Sequence, residues 1–331
     1  EHPDFFYNYA NTDPVRSLCF DIETHSPDGS FPFGERYPVV AIGIVTSTGE
    51  REVFLWDGES DRKVLTDFAK YVQDYDPDIM YGYNLIGYDI PQILHRASFH
   101  GLRNYKKLLN RDGTNYGYTP PKDNKDLRMK AGGRIIFDVL RHTRRDYALS
   151  GQGRGLKAVS RHFGLDPIEL DFGEKGLLDY PLSEIHDYVL SDVDCTKYLF
   201  DHYYPQVEFT AELLGVPLEA YVNSPNSYVT KILQGRKLYE QGIITEDINR
   251  DRHPEIYKDD KGNFQAAHIE LYEPGYHQNN YKIDFASFYP SIAMALNLGP
   301  DTTRIVGYEE YKEEIDFDGS FIYIPDNKIG K

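Results

Sequence analysis

The feature that most constrains this chain is an apolar run that ends in acids. Arg16 to Ile22 (RSLCFDI) reads as a short strand, and strand alternation sends Asp21 and Glu23 to the same face. Two adjacent carboxylates repel unless something sits between them, and a divalent cation such as Mg²⁺ or Mn²⁺ is the usual solution. For D-x-E alone, solvated strand-end charges or a helix cap are the commoner reading. Val39 to Thr46 (VVAIGIVT) and Glu52 to Leu55 read as neighbouring strands. Asp61 to Tyr75 has helical spacing broken by Pro77, Asp78 to Tyr83 (DIMYGY) returns to strand character, and a helix begins near Asp89. This alternation predicts an α/β fold with a sheet flanked by helices.

Arg103 to Lys130 is polar and punctuated by Gly, Pro and Asn, so it reads as a loop or insertion; Arg134 to Leu140 (RIIFDVL) then resumes the sheet. Beyond Gly155 the pattern is helical: Leu156 to Phe163, then Ser183 to about Leu214, opened by a capping-like Ser-Glu-Ile sequence. Pro217 marks the expected end of this domain. Pro225 interrupts Leu218 to Gln241, and Asp247 to Asn263 is charged, which predicts a helical connector followed by a linker. A new element begins with Tyr281 to Ala286, an apolar strand running into Asp284 with a turn at Tyr289-Pro290. The expected domains are 1–16, the end of an N-terminal domain or a linker; 17–215; the connector, 216–275; and 276–331.

Composition narrows the class. No apolar run approaches the ~18 residues of a membrane span, and Glu1-His2-Pro3-Asp4 does not start a signal peptide, so a soluble, cytoplasmic protein is expected. Cys19 and Cys195 sit inside regular segments and are expected to be reduced, buried and structural. The formal charge of -17 argues against gripping nucleic acid by overall attraction. An enzyme that cuts phosphodiesters with bound cations nevertheless needs a carboxylate pocket, whose sign the metals reverse.

Two further acids fall in suggestive places. Asn84-Leu-Ile-Gly-Tyr88-Asp89 follows a strand and opens a helix, which sets Asp89 at the carboxyl edge of the sheet, where ligands of open α/β sheets collect. A plain helix cap is the alternative. Tyr188 and Asp192 share a helix face one turn apart, and a hydroxyl beside a metal-bound carboxylate can orient water; for this pair alone, a buried Tyr near a surface Asp is the commoner reading. Asp194, two residues on, should face away.

In this order, DIET at 21–24, YGYNLIGYD at 81–89 and YVLSD at 188–192 resemble the three exonuclease motifs of family B DNA polymerases. Gly133 to Asp138 resembles the strand between the second and third motifs, and Asp284-Phe-Ala-Ser-Phe-Tyr289-Pro-Ser-Ile292 resembles the first polymerase motif of the palm. The resemblance implies a ribonuclease H-like exonuclease fold, a mixed sheet flanked by helices, with a helical connector and the start of a palm. It also implies 3′→5′ proofreading by two Mg²⁺ or Mn²⁺ ions about 4 Å apart. Asp21 would bridge them, Glu23 and Asp192 would hold the water-bearing ion, Asp89 would help place the second through water, and Tyr188 would orient the nucleophile. Asn84 and Tyr88 would touch the frayed end of the strand, although Tyr88 is equally suited to the core. Asp138 has no assigned chemistry and reads as structural.

In the palm segment, the resemblance makes Asp284 a ligand of the polymerase metals and Tyr289 the platform under the incoming sugar. The family's nucleotide-binding helix and its later Asp-Thr-Asp turn are not found; Asp316-Phe-Asp318-Gly-Ser320 superficially resembles that turn and reads as a loop. A lone Asp284 cannot assemble a two-metal site, so this chain is not expected to polymerise. The implied partners are a single-stranded 3′ end or primer-template, the remaining polymerase domains in cis or as a second chain, and a sliding clamp, with nucleoid association in a prokaryote. Two rivals stay open: a stand-alone nuclease of the same fold, and a non-catalytic DNA-binding or scaffolding module.

Overall fold

Strand β1 (Ser17–Thr24) is the centre of the architecture because its two faces feed two different cores. Leu18, Phe20 and Ile22 point to one side, and Cys19 points to the other, as the two-residue period requires. β2 (Val39–Thr46) is buried along its whole length, which explains its nearly continuous apolar sequence. β3 (Arg51–Leu55) completes an antiparallel trio, while β4 (Ile79–Gly82) joins β1 in parallel.

The computed structural model describes residues 14–111, 117–119, 128–171, 176–225, 227–242, 273–279, 281, 283–298, 303–306 and 322–325. The charged stretch Asp247 to Asn263 and the Asp316–Ser320 segment lie outside them. Two compact units are formed, Glu1–Ile232 and Leu233–Lys331.

Between β3 and β4 runs α1 (Arg62–Tyr75), and after β4 come α2 (Asp89–Phe99) and the short α3 (Tyr105–Leu108). The Arg103–Lys130 region, expected as a loop, therefore holds this helical turn and a small antiparallel hairpin of β5 (Gly117–Thr119) and β6 (Arg128–Lys130). Sequence periodicity cannot register elements of three or four residues. β7 (Ile135–Asp138) pairs in parallel with β4 and closes a mixed five-stranded sheet in the order β3-β2-β1-β4-β7.

One face of the sheet carries α1 and α2, with Phe20 against Phe68 at a ring separation of 5.0 Å. After β7 come α4 (Val139–Thr143), α5 (Leu156–His162) and α6 (Leu182–Leu214). α5 and α6 cover the opposite face. The capping-like Ser183 is not the cap: α6 starts one residue earlier, at Leu182, with Pro181 in an extended conformation as its N-cap. Gly215 ends α6 in the left-handed conformation. Pro217 then precedes α7 (Leu218–Val222), whose Val222 is buried in the same core as Phe137 and Val207. α8 spans Ser227–Glu240.

In the second unit, α9 (Phe288–Ala295) and an antiparallel pair, β8 (Thr303–Val306) and β9 (Ile322–Pro325), are described. The strand expected at Tyr281–Ala286 is not seen at its described residues, and the turn expected at Tyr289-Pro290 is instead the first turn of α9. Proline fits there because the first N–H groups of a helix need no internal partner, whereas an apolar run becomes a strand only when another strand pairs with it.

Helix α6 comes close to the sheet at Gly43, the β2 residue that registers opposite Asp21. A Cβ there would lie 2.9 Å from Cγ2 of Val189 and 3.3 Å from its carbonyl oxygen. Gly43→Ala is therefore expected to lower the unfolding free energy by about 1–3 kcal/mol, the usual cost of overpacking. Urea denaturation checks this; an unchanged midpoint would mean that α6 does not need its close seat on β2.

Candidate metal centre

The packing at Gly43 and Val189 carries Asp192, one turn further along α6, up to the acidic end of β1. Ligand oxygens of Asp21, Glu23 and Asp192 all lie within 4.8 Å of one another. Asp192 is buried, and Asp21 and Glu23 are partly exposed. No other group of three metal-ligating side chains occurs among the described residues.

Asp89 reaches the same edge from the other side of the sheet. It is the first residue of α2 rather than its cap, it is buried, and its Oδ1 accepts a hydrogen bond from the Ile22 N–H at 3.2 Å. Its carboxylate lies outside the tight triplet but close enough to act on it electrostatically.

Asp138 launches the segment that delivers Asp89. Its carboxylate accepts the N–H groups of Asn84 (3.0 Å), Ile86 (3.1 Å) and Leu140 (3.1 Å), so one side chain caps α4 and holds the turn ahead of α2. Asn84 adopts a left-handed φ of 64° and its carbonyl accepts from Gly87 and Tyr88. A Cβ on Gly87 would fall 2.4 Å from Asn84 Oδ1, so a larger residue there would push the Asn84 side chain aside. The structural reading of Asp138 gains a definite job.

Lys157, which no sequence pattern marks, supplies the local countercharge. α5 packs along α6 through Leu156, Val159 and Phe163. Lys157 Nζ donates to Asp192 Oδ1 and, at 2.8 Å, to the carbonyl of Ile168. It also sits 4.2 Å from the centre of the Tyr188 ring, a cation–π contact. Tyr188 and Asp192 do share a face, and Lys157 bridges them. Asp194 turns away, as expected, and pairs with Arg51 at 2.9 Å.

The loop between β1 and β2 adds aromatic residues that sequence reading missed. Phe31 is 73% exposed, and its ring lies 5.5 Å from that of Tyr88; Phe33 lies 6.1 Å from the same ring. The Tyr88 hydroxyl donates to the carbonyl of Pro32 at 2.7 Å and meets Thr24 Oγ1 at 2.5 Å. Tyr88 thus belongs partly to the core, and the exposed ring at this edge is Phe31. In the second unit Asp284 is exposed and Tyr289 is 77% exposed.

The cost of gathering these acids shows in their protonation. Burial, then the charges of Asp89, Asp192 and Glu23, holds Asp21 well above the ordinary carboxylate range. Burial and Asp192 push Glu23 up to about 8, and burial pushes Asp89 up to about 7. Burial also raises Asp192, against the pull of Lys157. Tightly grouped hard oxygens, short of countercharge, fit a divalent cation.

Residues 2–159 match the DNA polymerase family B exonuclease domain. Over these residues the chain is similar to the exonuclease domain of family B DNA polymerases. DNA polymerase 2 of Aeropyrum pernix is 27% identical over 311 residues, covering 91% of this chain and 36% of that protein. The DNA polymerase delta catalytic subunit of Glycine max is 27% identical, covering 88% of this chain and 29% of the relative. The family B DNA polymerase structure from Pyrobaculum calidifontis aligns with a TM-score of 0.63 and 25% identity, over 90% of this chain and 39% of that one. The chain thus spans about a third of the length of these relatives, and the mixed five-stranded sheet is that of a family B exonuclease domain. No helix among the described residues is long and apolar enough to cross a membrane.

All four acids titrate higher in the folded chain than in the unfolded one, so folding favours their protonated forms. Their contribution to stability is full below about pH 4 and is lost as pH rises through about 7 for Asp89 and about 8 for Glu23. In EDTA, the melting temperature is expected to fall from about pH 5 to about pH 8.5, and Mg²⁺ is expected to flatten that slope. A slope of the opposite sign would show that the cluster is not under repulsive strain.

Proposed function

We propose that this chain is a 3′→5′ exodeoxyribonuclease that removes the terminal nucleotide of a single-stranded 3′ end as a 5′-monophosphate, the proofreading part of a DNA polymerase. The observation that carries this reading is the carboxylate triplet of Asp21, Glu23 and Asp192, with ligand atoms within 4.8 Å, beside buried Asp89.

Two Mg²⁺ or Mn²⁺ ions bound by these acids would activate a water and offset the charge that builds on the phosphate and the departing 3′ oxygen. Asp21, Glu23 and Asp192 would hold the ions, with Asp89 contributing from the α2 side. The Tyr188 hydroxyl orients the attacking water, and its ring is kept in place by Lys157. Lys157, which donates to Asp192, would also be placed to contact the phosphate.

Phe31 and Tyr88 form the face on which the terminal base stacks. Aromatic stacking binds single strands without regard to sequence, which suits proofreading and suits a chain whose overall charge of -17 gives little attraction for DNA. Asn84 lines the same turn. The palm-like segment, with Asp284 and Tyr289, belongs to a polymerase site completed by domains beyond residues 276–331, and a sliding clamp is a partner of the assembled enzyme.

A 5′-labelled single-stranded DNA with Mg²⁺ or Mn²⁺ tests the reading. A ladder that shortens from the 3′ end is expected, and Asp21→Ala with Glu23→Ala should reduce the rate by about 10³-fold or more. Lys157→Ala should lower kcat by about 10–100-fold, as loss of a group supporting a metal ligand does. Degradation that survives the double substitution would remove the carboxylates from the mechanism; an inert parent chain would leave a binding module.

A further inference from the structure

The β1–β2 loop that carries Phe31 ties part of itself together: Asp28 accepts from Ser26 and Ser30 and pairs with Arg36 at 3.1 Å, Ser30 Oγ meets the Tyr37 hydroxyl at 2.5 Å, Phe33 N–H reaches the carbonyl of Phe31 at 2.9 Å and Tyr37 N–H that of Gly34 at 3.3 Å. Its 32–37 half is fastened to the domain by one stripe of side chains. Tyr88, Gln92 and Arg96 follow each other at four-residue spacing along α2, so they stand above one another on a single face. Each takes hold of loop backbone. Tyr88 donates to Pro32, and Arg96 Nη1 donates to the carbonyl of Glu35. Gln92, fully buried, makes three bonds: its Oε1 accepts from Gly34 N–H at 2.7 Å, and its Nε2 donates to the carbonyls of Gly34 (3.1 Å) and Tyr37 (2.7 Å).

The stripe is itself anchored. Arg96 forks onto both oxygens of buried Asp61 at 2.7 Å, and Asp61 also accepts from Val39 N–H at 2.9 Å and meets His100 Nε2 at 2.5 Å. Asp61 thus serves this clamp instead of capping α1 with its side chain. The helix that supplies Asp89 to the carboxylate centre therefore also sets where Phe31 stands.

We propose that Gln92 is a positioning residue for the nucleic-acid strand: it holds the β1–β2 loop so that Phe31 is presented beside the carboxylates before any strand arrives. The inference rests on the reading of Phe31 as a stacking face and assigns what keeps it in place. An amide suits this position because it both donates and accepts, whereas a carboxylate of equal size can only accept when ionised. A preordered platform lowers the entropy lost on binding, so loosening it should weaken binding and leave the chemistry alone.

The test uses the full chain with Gln92→Ala, Gln92→Glu, Phe31→Ala and the pair Gln92→Ala with Phe31→Ala. Three readouts are taken: anisotropy of a fluorescent single-stranded DNA in EDTA, steady-state hydrolysis with Mg²⁺, and the rate of chymotrypsin cleavage within 25–38. Gln92→Ala is expected to weaken DNA binding and raise KM about tenfold, with kcat within about twofold of the parent and faster cleavage of the loop. The double variant should bind no worse than Phe31→Ala alone, because Gln92 acts through that ring. Gln92→Glu should match Gln92→Ala; it fills the same volume and carries the test if the alanine variant does not fold. Unchanged binding and loop protection, additive losses in the double variant, or a fall confined to kcat would each overturn the proposal. A parent chain that neither binds nor cuts single-stranded DNA would instead sink the exonuclease reading, while the chymotrypsin comparison would still decide whether Gln92 orders the loop.

Discussion

Repulsion among closely grouped carboxylates is the constraint around which this domain is organised. Asp21, Glu23 and Asp192 are held with ligand atoms within 4.8 Å, Asp89 stands nearby, and Lys157 is in direct contact with one of them. Such an arrangement opposes folding at neutral pH, since each added negative charge raises the cost of ionising the next. It persists because the hydrophobic layers on both sides of the sheet are large enough to hold the acids there. Stored repulsion of this kind is released when a cation enters.

Three separate devices bring the acids together. Strand alternation aims Asp21 and Glu23 to the α6 side; a glycine at position 43 lets Val189, and hence Asp192, come close; and Asp138 folds the 84–88 turn that starts α2 at Asp89. None of the three is a ligand-to-ligand contact. The backbone around the site is rigid for reasons of packing and hydrogen bonding, so the charged groups have little freedom to relax apart. The aromatic edge follows the same logic, with Tyr88 anchored in the core and Phe31 left exposed beside it.

Much of this was legible in the chain. The apolar runs ending at Asp21 and Asp138 became β1 and β7, the helical spacing after Asp61 became α1, and the long amphipathic stretch to Leu214 became α6. Asp21, Glu23 and Asp192 could be singled out because each sits at a recognisable place in a periodic element. Lys157 could not: a lysine early in a helix looks like any solvated charge until α5 is laid against α6. Gln92 and Arg96 were equally silent, since their partners are backbone groups of a loop about sixty positions away in sequence. At Tyr281–Ala286 apolar character read as a strand, and at Ser183 a serine read as a cap, because local preference carries no information about whether a partner is present.

The sequence by itself determined the α/β class, the order of the five sheet strands and main helices through Leu214, and the placement of the acids at element ends, because hydrophobic periodicity and local charge placement are properties of the chain. Only the tertiary structure decided that Asp192 meets Asp21 and Glu23 while Asp89 stands slightly apart, that Lys157 is their countercharge, and that Asp138 and Gln92 shape the turn and loop around them. Those outcomes depend on distances between residues remote in sequence, and such distances exist only once both faces of the sheet have been packed.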